Sequence, residues 1–221
     1  VLSIIKSFVE DYNTMIDKLN KLTHEESTYK KYPPLTEEQK KEMTEKEVEL
    51  WDEKAKTGLL RNDENITRFL QDMRSAMYTK QDGQKYVLSQ TGVDTSSNWK
   101  EFGKLVFNED KFSDMLDKDI AGVLEVFTGT NGLASRLSDI CDKAANVSSA
   151  SQGELVKVAG VKGRGSEKQN MIFEKMEAIN AKLVTLNSLY EKRKDRYWDQ
   201  FNKMENNLSK VNAQSSWLTQ Y

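Results

Sequence analysis

His24 is the only histidine and Cys141 the only cysteine in the 221 residues, so the side chains that most often bind metals or act as nucleophiles are nearly absent. His24 stands in a polar run beside Glu25 and Glu26, with no second histidine and no cysteine cluster at a metal-ligand spacing. Cys141 follows Leu137 by four residues on an apolar helical face, which reads as a small buried hydrophobe. No basic cluster surrounds it to stabilise a thiolate. The glycines of Gly129–Gly132 and Gly163–Gly165 lack the lysine, the following hydroxyl and the third glycine of phosphate-cradling loops. The carboxylates between residues 37 and 53 alternate with lysines, the pattern of a solvated helix face with i,i+4 pairs. No catalytic, metal-binding or cofactor-binding constellation is expected.

Composition agrees with a different kind of molecule. Charged residues make up 31% and hydrophobic ones 37%, with a formal net charge of −2. That balance suits long amphipathic helices, which bury a stripe and solvate the rest. Lysine and glutamate are interspersed, so no basic face offers itself to nucleic acid. No apolar run approaches the ~20 residues that cross a bilayer, so membrane insertion is not expected. One cysteine allows no intrachain disulfide, which fits a reducing compartment or an export route without disulfide formation. Val1 is not an initiator methionine, and Ile4, Ile5, Phe8 and Val9 read as mid-helix; the chain is expected to begin inside a longer protein.

Along residues 1–23, Val1, Ile5, Phe8, Tyr12, Met15, Leu19 and Leu22 alternate steps of four and three, a heptad seam widened by Val9 and Ile16. A polar connector over 24–35 ends in Pro33-Pro34, which forbids helix. Thr36 with Gln39 and Thr44 with Glu47 have the capping-box spacing and predict two short helices, the second ending before Gly58. Asn62 or Asp63 caps a third, with Ile66, Phe69, Leu70, Met73 and Met77 on its apolar face. Lys85–Val93 and Lys104–Asn108 are β-prone and bounded by glycines, and predict an antiparallel pair with Thr95–Asn98 as loop. Helical periodicity returns over 112–127 and, after a glycine break, over 133–144. The Ser-, Gly- and Val-rich stretch 146–165 reads as loop with one short strand, Leu155–Val158.

Ser166, with Gln169 three residues on, opens the last helix. Its seam runs Ile172, Met176, Ile179, Leu183, Leu186, Tyr190, Arg193, Tyr197, Phe201, Met204, Leu208, Val211 and Leu218, with Trp217 beside it. The double step of four from Arg193 to Phe201 is a stutter that relaxes a left-handed supercoil. About 50 residues at ~1.5 Å each make a rod of roughly 75 Å. Such a stripe normally marks an interface. The fold class is therefore mainly α: long helices forming a coiled-coil stem, with a small antiparallel β element. The division is a leg domain over 1–165 with its hairpin at about 85–108, and a long helix over 166–221 running from leg to inner stem.

Three segments carry a resemblance. They are PPLTEEQKKEM and VELWDEKAKTGLLRND within 32–63, then LSQTGVDTS, GKLVFNEDKF and VFTGTNGLASRL within 88–137, then YWDQFNKMENNLSKVNAQSSWL over 197–218. In this order they resemble the C-terminal region of the bacterial flagellar filament cap family, hook-associated protein two. SFVEDYNTMIDKLNKLT, in helix one, is similar to the family's entry into this region. The stretch Asn98–Phe102 is longer than the family pattern, which puts strand register there in doubt. The resemblance implies a structural protein without catalytic residues or cofactor. It implies export through the flagellar type III system, a ring-like homo-oligomer at the distal tip of the extracellular filament, and assistance to the folding and insertion of flagellin. Hook-junction proteins and an export chaperone are further implied partners. The alternative is another flagellar axial subunit, of hook junction or filament, with the same coiled-coil stem. The residues expected to carry self-association or filament contact are the last-helix seam and Trp217, with Ile5, Phe8, Tyr12, Met15, Leu19 and Leu22 as the helix-one seam.

Overall fold

The computed structural model describes residues 1–218, in two compact units that divide between Val156 and Lys157.

Unit 1 starts with α1 (Leu2–His24), whose inward row is Ile5, Val9, Tyr12, Ile16, Asn20 and Thr23. The two polar members satisfy themselves locally: the Asn20 amide donates to Ile16 O at 2.9 Å and the Thr23 hydroxyl to Leu19 O at 3.0 Å. The Pro33-Pro34 connector is held rather than loose, because Trp51 Nε1 donates to Pro33 O at 2.7 Å and its ring meets Tyr32 edge-on. Helices α2 (Glu37–Lys41) and α3 (Glu45–Lys56) both begin with complete capping boxes, Thr36 with Gln39 and Thr44 with Glu47. Gly58, at φ +73°, then lies against the backbone of Ser27, where a Cβ would come within 2.5 Å. The Asp63 carboxylate accepts from Asn65 N and Ile66 N, both at 3.0 Å, and so caps α4 (Glu64–Tyr78).

The β element is a two-stranded antiparallel hairpin, β1 (Val93–Thr95) with β2 (Leu105–Phe107), in the register Val93–Phe107 and Thr95–Leu105. The first strand is shorter and later than the 85–93 expected from sequence. Leu88–Thr91 is instead a 3₁₀ turn, closed by Gln90 Oε1 accepting from Val87 N and by Gly92 at φ +98°. Thr91, the β-branched member of that turn, is buried with its hydroxyl donating to Leu88 O at 2.6 Å, and Gly92 ends the turn. The hairpin loop carries a second 3₁₀ turn, Trp99–Glu101, and Phe102 at φ +53°.

Helix α5 (Glu109–Thr128) bends at Asp119, whose φ of −161° is non-helical; its carboxylate accepts from Gly122 N at 3.0 Å and re-caps the second half. Helix α6 (Leu133–Ala145) follows. Two expectations are corrected here. Cys141 is exposed, because α6 turns Leu133, Leu137 and Ala144 inward instead. Residues Leu155–Val158 belong to a short helix, α7 (Glu154–Ala159), and not to a strand; among the described residues the sheet consists of β1 and β2, and Glu154 supplies an acidic first turn.

The core of unit 1 gathers around Phe112, which is fully buried between Phe107 (ring centroids 5.4 Å) and Phe127 (6.0 Å), both edge-on. Burying one such ring contributes roughly 1.5–3 kcal/mol. Val93, Leu105, Val123 and Leu133 close around it, and α1 supplies Ile5, Val9, Tyr12 and Ile16.

Unit 2 begins with a tight knot, not with a helix at Ser166. Residues Gly165–Lys168 form a 3₁₀ turn, and the Ser166 hydroxyl accepts from Val161 N at 3.1 Å. The buried Asn170 amide donates to Ser166 O (2.8 Å) and Glu167 O (2.9 Å), while its oxygen accepts from Phe173 N at 2.8 Å. Asn170 is therefore the cap, four residues later than expected, and α8 (Met171–Leu218) runs for 48 residues from it.

Candidate functional site

The surface with most to explain is α8. None of its residues is buried. Its expected seam, Ile172, Met176, Ile179, Leu183, Leu186, Tyr190, Tyr197, Phe201, Met204, Leu208, Val211 and Leu218, with Trp217, is exposed at 48–68% throughout. A large apolar side chain gains ~1.5–3 kcal/mol when it leaves water, so a dozen left exposed in one row is a large unused driving force. Four members lie outside the expected seam: Met171, Val184, Leu189 and Trp198 stand next to seam residues, are exposed too, and widen the row. Their signal was present, since each neighbours a seam position, but heptad steps count only the centre line.

At the stutter the row changes chemistry. Tyr190, Arg193, Lys194, Tyr197, Trp198 and Phe201 line one shallow surface. They follow the i, i+3/i+4, i+7/i+8, i+11 pattern that places side chains on one helix face. Trp198 meets Phe201 edge-on at 6.1 Å, and the Arg196 guanidinium lies 5.7 Å from the Tyr197 ring centroid. The Glu191 carboxylate accepts from Lys194 Nζ at 2.8 Å and holds that ammonium's pKa above its ordinary value. Aromatic rings and a guanidinium, exposed and arranged on one face, are the residue types that dominate binding hot spots.

The helix-one residues are placed differently. Ile5 and Tyr12 are buried, Phe8 and Met15 pack on the core, Leu19 is half-buried, and Leu22 is 39% exposed. This face of α1 is occupied within unit 1 by β2, α4 and α5. Two contacts to the hairpin position it: Asn13 bonds the backbone of Leu105, and Lys104 Nζ lies 2.7 Å from the Asp17 carboxylate.

The chemistry-bearing residues are occupied locally. The His24 ring lies 4.6 Å from Phe102, and Nδ1 is 2.9 Å from Asn20 O. Cys141 is exposed as a residue, but partial desolvation of its sulfur and the neighbouring Asp142 carboxylate hold the thiol above its ordinary pKa, which disfavours the thiolate. Gly163 N donates to Glu167 Oε2 at 2.8 Å, so the Gly163–Gly165 turn is closed on its own chain. Among the described residues no three His, Cys, Asp or Glu side chains converge at metal-binding distance, and no helix is long and apolar enough to cross a membrane.

A family profile described as the C-terminus of flagellar hook-associated protein 2 matches residues 1–213. Flagellar hook-associated protein 2 of Halalkalibacterium halodurans is 33% identical over 236 aligned positions, covering 98% of this chain and 44% of that protein. The protein of the same name from Thermotoga maritima is 27% identical, over 100% of this chain and 33% of its own length. The chain thus spans less than half the length of these relatives. The crystal structure of the D1–D2–D3 domains of the flagellar cap protein from Escherichia coli superposes with a TM-score of 0.45 at 21% identity, over 64% of this chain and 32% of that one.

Proposed function

The chain belongs to the family of flagellar hook-associated protein 2 C-terminal regions, and on that premise we propose that it is the leg and stem of a structural cap at the distal tip of a bacterial flagellar filament. Residues 1–165 act as the rigid leg, and the segment 166–221, which contains α8, passes from leg to inner stem. The cap is a ring-like oligomer outside the cell, reached through the flagellar export channel. There it assists exported flagellin subunits to fold and insert. The observation that carries the reading is the continuous exposed apolar row of α8, 48 residues long with no buried position, beside a unit that buries its own core. A helix of that kind draws its stability from packing against something else. In a cap, that something is the α8 of other copies and the end of the filament.

The test is solution mass by light scattering over a wide concentration range, on the full chain and on one ending at Lys192. A closed oligomer of defined size from the full chain, and a monomer from the shortened one, is expected. Two monomers at every concentration would remove the support that α8 gives. Growth into an open polymer would point to an axial subunit of hook junction or filament instead, because a heterologous contact that does not close makes a tube.

A further inference from the structure

A second face of this chain has the shape and charge to receive the aromatic–cationic stretch of α8. On unit 1, the groove between α2 and α3 is lined by Met43, Glu45, Val48, Glu49, Asp52 and Glu53, with a lysine at each end, Lys40 and Lys56. Four carboxylates thus outnumber two ammonium groups, and Lys40 is already paired with Glu37 at 2.9 Å. Along α3 the carboxylates and Lys56 follow the steps 45, 49, 52/53, 56. The α8 surface follows 190, 193/194, 197/198, 201, the same repeat over the same span of roughly 16 Å. It contains two cations and no carboxylate of its own; Lys194 is paired with Glu191 at 2.8 Å, and Arg193 is in no ion pair among the described residues. Met43 and Val48 give the groove an apolar floor for an aromatic ring, and neither helix α2 nor α3 buries a residue in unit 1.

We infer that the acidic α2–α3 groove of a second copy of this chain is the docking partner of the Tyr190–Phe201 face of α8. Arg193 and Lys194 lie along Glu49 and Asp52, and Tyr197 and Trp198 cover Val48 and Met43. An in-register parallel pairing of two α8 helices would set Arg193 against Arg193, which like charges oppose. A carboxylate-lined groove removes that conflict at the stutter. The inference rests on the reading of α8 as an assembly surface, and adds which part of the neighbouring copy it meets.

The experiment is a charge-reversal cycle on the full chain, read by sedimentation. Glu49 and Asp52 hold no hydrogen bond or ion pair inside unit 1 among the described residues, although Asp52 attracts Lys40, so the doubly reversed Glu49→Lys, Asp52→Lys chain should fold with a cooperative circular-dichroism melt lowered only slightly. It should associate ~10-fold or more weakly. Arg193→Glu with Lys194→Glu should do the same. The four changes together should recover association to within ~3-fold of the original chain, a coupling that only facing groups show. Carbodiimide crosslinking of a mixture of isotope-labelled and unlabelled chains should join Lys194 to Glu49 or Asp52 as heavy–light pairs. If the α3 reversal leaves association unchanged while the α8 reversal abolishes it, the inference is overturned and the cap reading stands. Crosslinks confined to single chains overturn it as well. A monomer at all concentrations overturns both.

Discussion

Asn13 on α1 and Leu105 on β2, 92 residues apart, share two hydrogen bonds: the Asn13 amide donates to Leu105 O at 2.9 Å, and Leu105 N donates to Asn13 Oδ1 at 2.7 Å. The primary amide copies the pairing that a third strand would give, so a helix side chain completes the open edge of a two-strand sheet. Leu105 is 3% exposed, and water would not replace these bonds if they were lost. Asn13→Ala should therefore cost ~1–3 kcal/mol. Urea unfolding checks this, and amide exchange should rise first at Leu105.

One residue earlier, Tyr12 carries an orphan. Its ring is buried, its hydroxyl has no hydrogen-bond partner among the described residues, and burial pushes its pKa up to about 12. A raised pKa favours the neutral form. Its contribution is complete below pH ~10 and is lost as pH rises toward about 12. Tyr12→Phe should keep the packing, leave neutral-pH stability unchanged or slightly higher, and extend the alkaline limit. Tyr12→Ala should cost ~3–5 kcal/mol. A fall in neutral-pH stability for Tyr12→Phe would mean that the hydroxyl has a partner after all.

Asp119 works in the opposite pH range. Lys85, the Gly122 amide and the Tyr86 hydroxyl hold its carboxyl down to about 2, Lys85 being the largest influence. A depressed pKa favours the ion, so this contribution is present above the ordinary carboxylate value of ~4 and fades as pH falls toward about 2. Asp119→Asn should lower stability at neutral pH and flatten the acid limb between those values. Lys85→Met should move the limb up in pH. Denaturation midpoints at stepped pH test both, and parallel acid limbs for all three chains would contradict the assignment.

Glycines test packing against backbone strain. A Cβ on Gly92 would meet Phe112 N at 2.8 Å and Asn108 O at 2.9 Å, whereas one on Gly83 would meet nothing within 4 Å; both residues have φ near +90°. Gly83→Ala should cost ~1–2 kcal/mol for the left-handed backbone alone. Gly92→Ala should cost visibly more, because α5 must shift. Equal losses would show that the space beside Phe112 is not tight.

These relationships also show which parts of the fold were legible. Both capping boxes, the Asp63 cap, the α4 face and the length of α8 rest on spacings of three and four, which a single segment displays. The Asn13–Leu105 pair has no such signal, since neither residue marks the other across 92 positions. Val87–Thr91 looks like a strand by composition, and only Gly92 behind Phe112 makes it a turn. Residues 154–159 are too few for periodicity to separate helix from strand. Helix one displays a heptad row, yet it lies in a mixed helix–sheet core that also takes Val9, Ile16, Asn20 and Thr23. For the candidate site, α8 was readable as an exposed row. The acidic groove was not, because alternating lysine and glutamate along α3 hides which charges share a face.

The knot before α8 bears on how that helix grows. The first turn of any helix is its slow and unfavourable step, because several residues must be fixed for one hydrogen bond. Here Ser166, Asn170 and the Gly160 turn fix them in advance: Asn170 caps Phe173, and Glu174 N donates to Asn170 O at 3.0 Å. The knot thus gives α8 a ready nucleus at Met171, from which the remaining turns up to Leu218 add at one hydrogen bond per residue.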